Sequence, residues 1–193
     1  MRRQPDGVAT PRERKELRKE TYLIRKKFGL EREKYFEIVL FLELILPRLD
    51  PLFVLDPVED SELIGRAAET IPEQHLIRVK QSIYDAACSG NYWARFVLAH
   101  ELAHYILHGN KNVAYAYLDP NEKIPRTMNP ERQADVFASE LLVPVNLITE
   151  SDEYLVSKHF GVPRSTARIQ MGQANRIRRR HEQKKLTSKK KNG

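Results

Sequence analysis

The sequence predicts an α+β fold: a few short strands, one strongly apolar central helix, a second well-capped helix, and a helical segment toward the C-terminal end. Three observations predict it. Residues 75–81 alternate, with Ile77 and Val79 set against Leu76, Arg78 and Lys80, the period of a half-buried strand. From Asn91 to His108 apolar residues stand on most sides (Trp93, Phe96, Val97, Leu98, Leu102, Ile106, Leu107), the pattern of a buried helix. Ala134, Phe137, Ala138, Leu141 and Leu142 recur at spacings of three and four, the stripe of a helix packed on one side.

The remaining elements follow in chain order. Residues 1–10 are polar, with Pro5 and Gly7, and are expected to be disordered. Arg12 to Phe28 is charged with sparse apolar positions and reads as an exposed helix. Glu31 to Leu46 supplies Phe36, Val39, Leu40, Leu42 and Ile45 for a buried stripe, and Pro47 is expected to end it. Leu52 to Leu55 is a short strand candidate, and Ser82 to Ala87 a helical turn or the end of a hairpin. Gly109 stops the central helix. Lys111 to Thr127, with Tyr115 and Tyr117, is expected to be an irregular loop. Asn129 caps the next helix, Pro130 suits its first turn, and Pro144 follows its end. Asp152 to Phe160, then Gly161-Val162-Pro163, then Arg164 to Arg176 reads as helix, tight turn, helix.

The formal net charge of +7 suggests an acidic partner, but the charge is unevenly placed. Residues 1–27 carry net +6, residues 28–175 net −7, and residues 176–193 net +8. Four regions follow: a basic N-terminal segment, partly disordered, with an exposed helix (1–27), a main folded domain (28–150), a helix-turn-helix-like hairpin (151–175), and a basic tail expected to be disordered (176–193). A single cysteine, Cys88, excludes an intrachain disulfide framework and a multi-cysteine zinc ribbon, and suits a reducing cytosol. The first 20 residues hold no apolar core, and the run from Ile38 to Leu46 is far shorter than the ~20 residues of a membrane helix. A cytoplasmic protein with no membrane partner is expected.

The chemistry lies in His100-Glu101-Leu102-Ala103-His104. Two histidines four apart share one helical face about 6 Å apart along the axis. Both imidazoles can then reach one metal ion at ~2.0–2.1 Å. Glu101, one position on, flanks that ion and can accept the proton of an attacking water. Such a pattern also arises by chance, but three ionisable groups in so apolar a helix would cost several kcal/mol to bury without a partner. For the third ligand, His108 lies about 12 Å along the axis from His100, too far to join it on one ion without breaking the helix. It reads as a supporting or structural residue. Glu131 is the better candidate. It stands in the first turn of the next helix, three and seven residues before the core positions Ala134 and Ala138. Its alternative role is compensation of the helix dipole. Asp135, four residues on, can orient a ligating histidine through the ring nitrogen that does not touch the metal.

The segment His100-Glu101-Leu102-Ala103-His104-Tyr105-Ile106-Leu107-His108, its lead-in Arg95-Phe96-Val97-Leu98-Ala99, and the segment from Glu131 to Pro144 together resemble the ImmA/IrrE family of zinc metallopeptidases. The resemblance implies a zincin-like metallopeptidase domain over residues 28–150, with a small mixed sheet packed on the active-site helix and a gluzincin ligand set. It makes His100, His104 and Glu131 the zinc ligands, Glu101 the catalytic base and Asp135 the partner of a ligand. Ala103 stands where Gly is usual, and Val143 where Met is usual. The resemblance is firm over residues 93–144 and looser outside them. It also implies an endopeptidase whose protein substrate is typically a DNA-binding transcriptional repressor, cleaved to relieve repression in a mobile-element or stress-response switch. An oxyanion donor or substrate contact is expected from Tyr105, His108, Tyr115 or Tyr117, among which the sequence does not choose. The strand at 75–81 is expected to be the edge on which a substrate peptide lies.

Two other functions fit parts of the chain. Leu155 to Ile169 resembles a DNA-binding helix-turn-helix, although a helical hairpin packed on the core accounts for it better. The basic termini can make weak phosphate contacts with nucleic acid. The chain could therefore be a DNA-binding or protein-interaction regulator with a structural or vestigial metal site, but Glu101 would then have no task.

Overall fold

The computed structural model describes residues 8–109, 113–114 and 124–191. In chain order these form β1 (Val8–Ala9), α1 (Arg14–Lys27), α2 (38–49), β2 (Val54–Val58), β3 (Ala68–Ile71), β4 (Leu76–Lys80), α3 (Gln81–Cys88), α4 (Tyr92–Leu107), β5 (Val113–Ala114), α5 (Pro130–Leu142), α6 (Glu153–Phe160) and α7 (Arg164–Lys191). The architecture is α+β. No described helix is long and apolar enough to cross a membrane.

The main sheet is mixed, in the order β2-β4-β3, with β2 parallel and β3 antiparallel to β4. Its alternation is the expected one: Ile77 and Val79 are fully buried, while Leu76, Arg78 and Lys80 are partly exposed. The position of β4 corrects an expectation. It is the central strand, paired on both sides, so it offers no edge to a substrate. Alternation reports which face is buried, not how many neighbours a strand has. Among the described residues the edges are β2 and β3. Pro57 in β2, which has no N–H to give, suits an edge.

Helix α4 lies on this sheet and packs most extensively against α5. Ala94, Leu98, Ala99, Leu102, Ala103 and Leu107 are buried along it. Trp93, at 54% exposure, and Ile106 face outward instead, so the apolar surround is narrower than its composition suggests. In α5 the five stripe residues Ala134, Phe137, Ala138, Leu141 and Leu142 are all fully buried. Asn129 caps this helix by accepting from Arg132 N at 2.8 Å.

Two helix ends differ from expectation. Pro47 does not stop α2, which continues to Leu49 through a π-helical turn at Phe41–Ile45. The wider turn removes the clash a proline ring makes with the carbonyl four residues back. The expected boundary at residue 176 falls inside α7, which runs unbroken to Lys191 rather than giving way to a disordered tail. After Gly172 the segment holds no glycine or proline before Lys191 and is rich in Arg, Lys and Gln, all good helix formers. Of the stretch expected to be disordered at residues 1–10, residues 1–7 lie outside the described residues, and Val8–Ala9 pairs with β5.

The α6–α7 hairpin is bound into the core. Phe160, Val162 and Ala167 are fully buried, and Gln170 Nε2 donates to Ser139 O and Val143 O. Its turn needs Gly161. There φ is +62°, and a Cβ would fall well inside van der Waals distance of the Tyr35 ring, with Arg95 Nε at 3.1 Å. Arg95 closes the joint, donating to Gly161 O at 3.1 Å and Phe36 O at 2.7 Å.

Candidate metal centre

The site is built by two helices. Helix α4 presents His100 and His104 one turn apart, and the first turn of α5 brings Glu131 to them. His100 Nε2 and His104 Nε2 are 3.0 Å apart. Glu131 places Oε2 3.4 Å from the first and Oε1 3.4 Å from the second. Potential ligand atoms of the three residues all lie within 4.8 Å of one another. Two nitrogens at ~2.0–2.1 Å on a tetrahedral ion would stand about 3.4 Å apart, so the donor set is close to the spacing zinc requires. His100 and His104 are 17% and 16% exposed, which leaves their outer side reachable from solvent.

The electrostatics favour a cation. Asp135 Oδ1 lies 3.0 Å from His100 Nδ1, holding the hydrogen there and directing Nε2 at the centre. Burial disfavours a charged His100, but hydrogen bonds to Asp135 and Glu131 outweigh it and raise its pKa to about 10. A proton thus satisfies part of what these acceptors attract. A divalent cation satisfies the whole set, and the residues present fit one.

Glu101 is buried on the adjoining face of α4. Thr70, on edge strand β3, has its hydroxyl 2.7 Å from Glu101 Oε2 and 3.0 Å from Glu101 O. This contact ties the carboxylate to the sheet edge. No residue pattern around Thr70 announces it, because it depends on how β3 meets α4.

His108 sits behind His104, away from Glu131. Its Nδ1 is 3.0 Å from His104 Nδ1, and its Nε2 is 2.9 Å from Gln133 Oε1. Burial lowers its pKa, favouring the neutral ring. Tyr105 points toward the β3–β4 turn and donates to Asp50, which also lies 2.6 Å from His75 Nδ1. Burial and the Asp50 hydrogen bond raise the pKa of the Tyr105 phenol above its ordinary value. Tyr115 and Tyr117 lie outside the described residues. Sequence reasoning missed Gln133, Asp50 and His75. A polar residue at the inward position 133 of an otherwise apolar stripe was the available signal for Gln133.

No curated protein sequence matches this chain. Among solved structures it is similar to a Mycobacterium tuberculosis transcriptional regulator, at 16% identity and a TM-score of 0.47, over 78% of this chain and 45% of that one. The chain therefore spans less than half the length of that relative. The family model for the IrrE N-terminal-like domain, Peptidase M78, matches residues 75–171, from the start of β4 through the first turns of α7. That span carries His100, Glu101, His104, Glu131 and Asp135, and by it the chain belongs to the IrrE N-terminal-like family of M78 peptidases.

Proposed function

We propose that this chain is a zinc-dependent endopeptidase of zincin-like fold, working in the cytoplasm on a specific protein partner of the transcriptional-repressor class. The observation that carries it is the convergence of His100, His104 and Glu131, with Glu101 buried beside them. Zinc, when bound, supplies Lewis acidity: it polarises a peptide carbonyl and makes water more acidic.

The protein residues do the rest. Glu101 accepts the proton of the attacking water and delivers it to the departing amine. Thr70 holds the carboxylate in place for both transfers. Asp135 keeps His100 oriented. Among the described residues β3 is paired only with β4, so its other side can receive an extended substrate by strand addition within reach of Glu101. Tyr105 can contact substrate by exchanging its hydrogen bond to Asp50 during the reaction.

The alternative is a regulator with a structural or vestigial metal site, acting through nucleic acid or protein contacts. The observation in its favour is the basic end of α7, where residues 176–193 carry net +8 and Arg176, Arg178, Arg179, Arg180, Lys184 and Lys185 are all exposed. Such a helix suits phosphate contact. Glu101→Gln decides between the two. For a peptidase, zinc content is unchanged and cleavage of a transcriptional-repressor substrate falls about 10²–10⁴-fold. Cleavage unchanged in this variant would remove Glu101 from the reaction, and no zinc in the wild type would remove the metal centre.

A further inference from the structure

Gln133, His108 and His104 form an unbroken chain of hydrogen bonds from two stretches of main chain to the metal-facing ring. Gln133 Nε2 lies 2.8 Å from Thr10 O and 2.6 Å from Thr127 O. Carbonyl oxygens only accept, so these two take both hydrogens of the side-chain amide. The atom facing His108 is then Oε1, another acceptor, at 2.9 Å from His108 Nε2. His108 must carry its hydrogen on Nε2, and in the neutral ring its Nδ1 is an acceptor. That Nδ1 is 3.0 Å from His104 Nδ1, so His104 donates from Nδ1. The lone pair on His104 Nε2 is left facing His100 and Glu131. Reversing the Gln133–His108 link would turn Gln133 Oε1 toward two carbonyl oxygens, and reversing only the His108–His104 link would place an uncompensated charge on the buried His108. The chain is sealed from water, with Gln133 2% and His108 7% exposed.

We propose that His108 and Gln133 are positioning residues for the metal centre, through which the Thr10 and Thr127 carbonyls dictate the tautomer of His104 and so make its Nε2 the ligand atom. The two histidine ligands are then held by different means. Asp135, a partly solvated carboxylate, holds His100, and a dry neutral relay holds His104. Because Thr10 follows β1 directly, docking of the N-terminal segment becomes part of building the metal centre. This inference rests on the metal-centre reading above, and its test separates the two.

The experiment measures zinc affinity of the full chain by competition with a chromophoric chelator, for the wild type, His108→Phe and His108→Asn. Phe keeps a ring but accepts nothing. Asn places an amide oxygen near the position of Nδ1 and restores the acceptor. Loss of such a supporting partner typically weakens metal binding 10–100-fold, so His108→Phe should fall by that factor and His108→Asn should recover most of it. A folded His108→Phe with wild-type affinity, or equal losses in both variants, overturns the proposal. A wild type that binds no zinc overturns the metal-centre reading instead. Long-range ¹H–¹⁵N correlation on the zinc-loaded wild type needs no variant: a hydrogen on Nδ1 and coordination through Nε2 of His104 support the relay, and coordination through Nδ1 refutes it.

Discussion

Zinc affinity should rise about 100-fold between pH 6 and pH 8, and the reason lies at His100. Its pKa is raised to about 10, with burial opposed and outweighed by the hydrogen bonds to Asp135 and Glu131. A nitrogen that binds zinc cannot keep its proton, so across this window each bound ion must release one from His100. Each pH unit below that pKa then costs about a factor of ten, and two units cost about 2.7 kcal/mol. The same shift acts on stability with the opposite sign. A histidine raised above its unfolded value of about 6.5 stabilises the zinc-free chain fully below pH 6.5, and that contribution is lost as pH rises toward 10. The zinc-free chain should therefore melt earlier as pH rises, while zinc protects it more. For a domain of this size 1 kcal/mol moves Tm by about 2–4 °C, so the gap between zinc-loaded and chelator-treated samples should widen by about 5–10 °C from pH 6 to pH 8. Chelator competition across this range measures the affinity, and calorimetry measures the gap. Asp135→Asn removes the largest favourable contribution to the charged ring and should flatten the pH slope at its upper end. An affinity that does not change with pH in the wild type would refute the argument.

Gly161→Ala should destabilise the fold by about 1–3 kcal/mol, because it combines strain at positive φ with a methyl group driven into Tyr35; calorimetry checks it. Glu140 is wholly buried between Arg14, at 2.8 Å, and Arg18, which it meets with both oxygens. Removing one partner of a buried ion pair costs about 3–5 kcal/mol, so Glu140→Ala should melt roughly 6–20 °C lower and loosen α1, visible as faster amide exchange there. Deleting residues 176–193 should reduce the salt dependence of binding to a DNA duplex, and equal slopes with and without the segment would remove the phosphate-contact role of α7.

Much of the candidate centre was legible because its residues obey local geometry. His100 and His104 are four apart on one helix, and Glu131 stands at the inward phase of another, so helical periodicity alone aligns them. The Asp135 contact follows from the same periodicity, one turn beyond Glu131. The substrate edge was misassigned because residues 75–81 have the same alternation whether the strand is central or peripheral. The fate of Arg176–Lys191 was misread because a solvated run of Lys and Arg is compatible both with a helix and with no structure.

The sequence by itself determined that His100 and His104 share one helix face with Glu101 beside them, the inward face of α5 and the signs of charge along the chain. Each is a property of residues within one or two helical turns, where spacing and side-chain direction are coupled. Only the tertiary structure decided that β3 rather than β4 borders Glu101, that Thr70 holds that carboxylate, and that Thr10 and Thr127 reach His104 through Gln133 and His108. The decisive contacts join residues more than twenty positions apart: Thr70 with Glu101, His108 with Gln133, and Thr10 with Gln133. Hydrogen bonding of that range depends on how packed elements meet, and no local pattern encodes it.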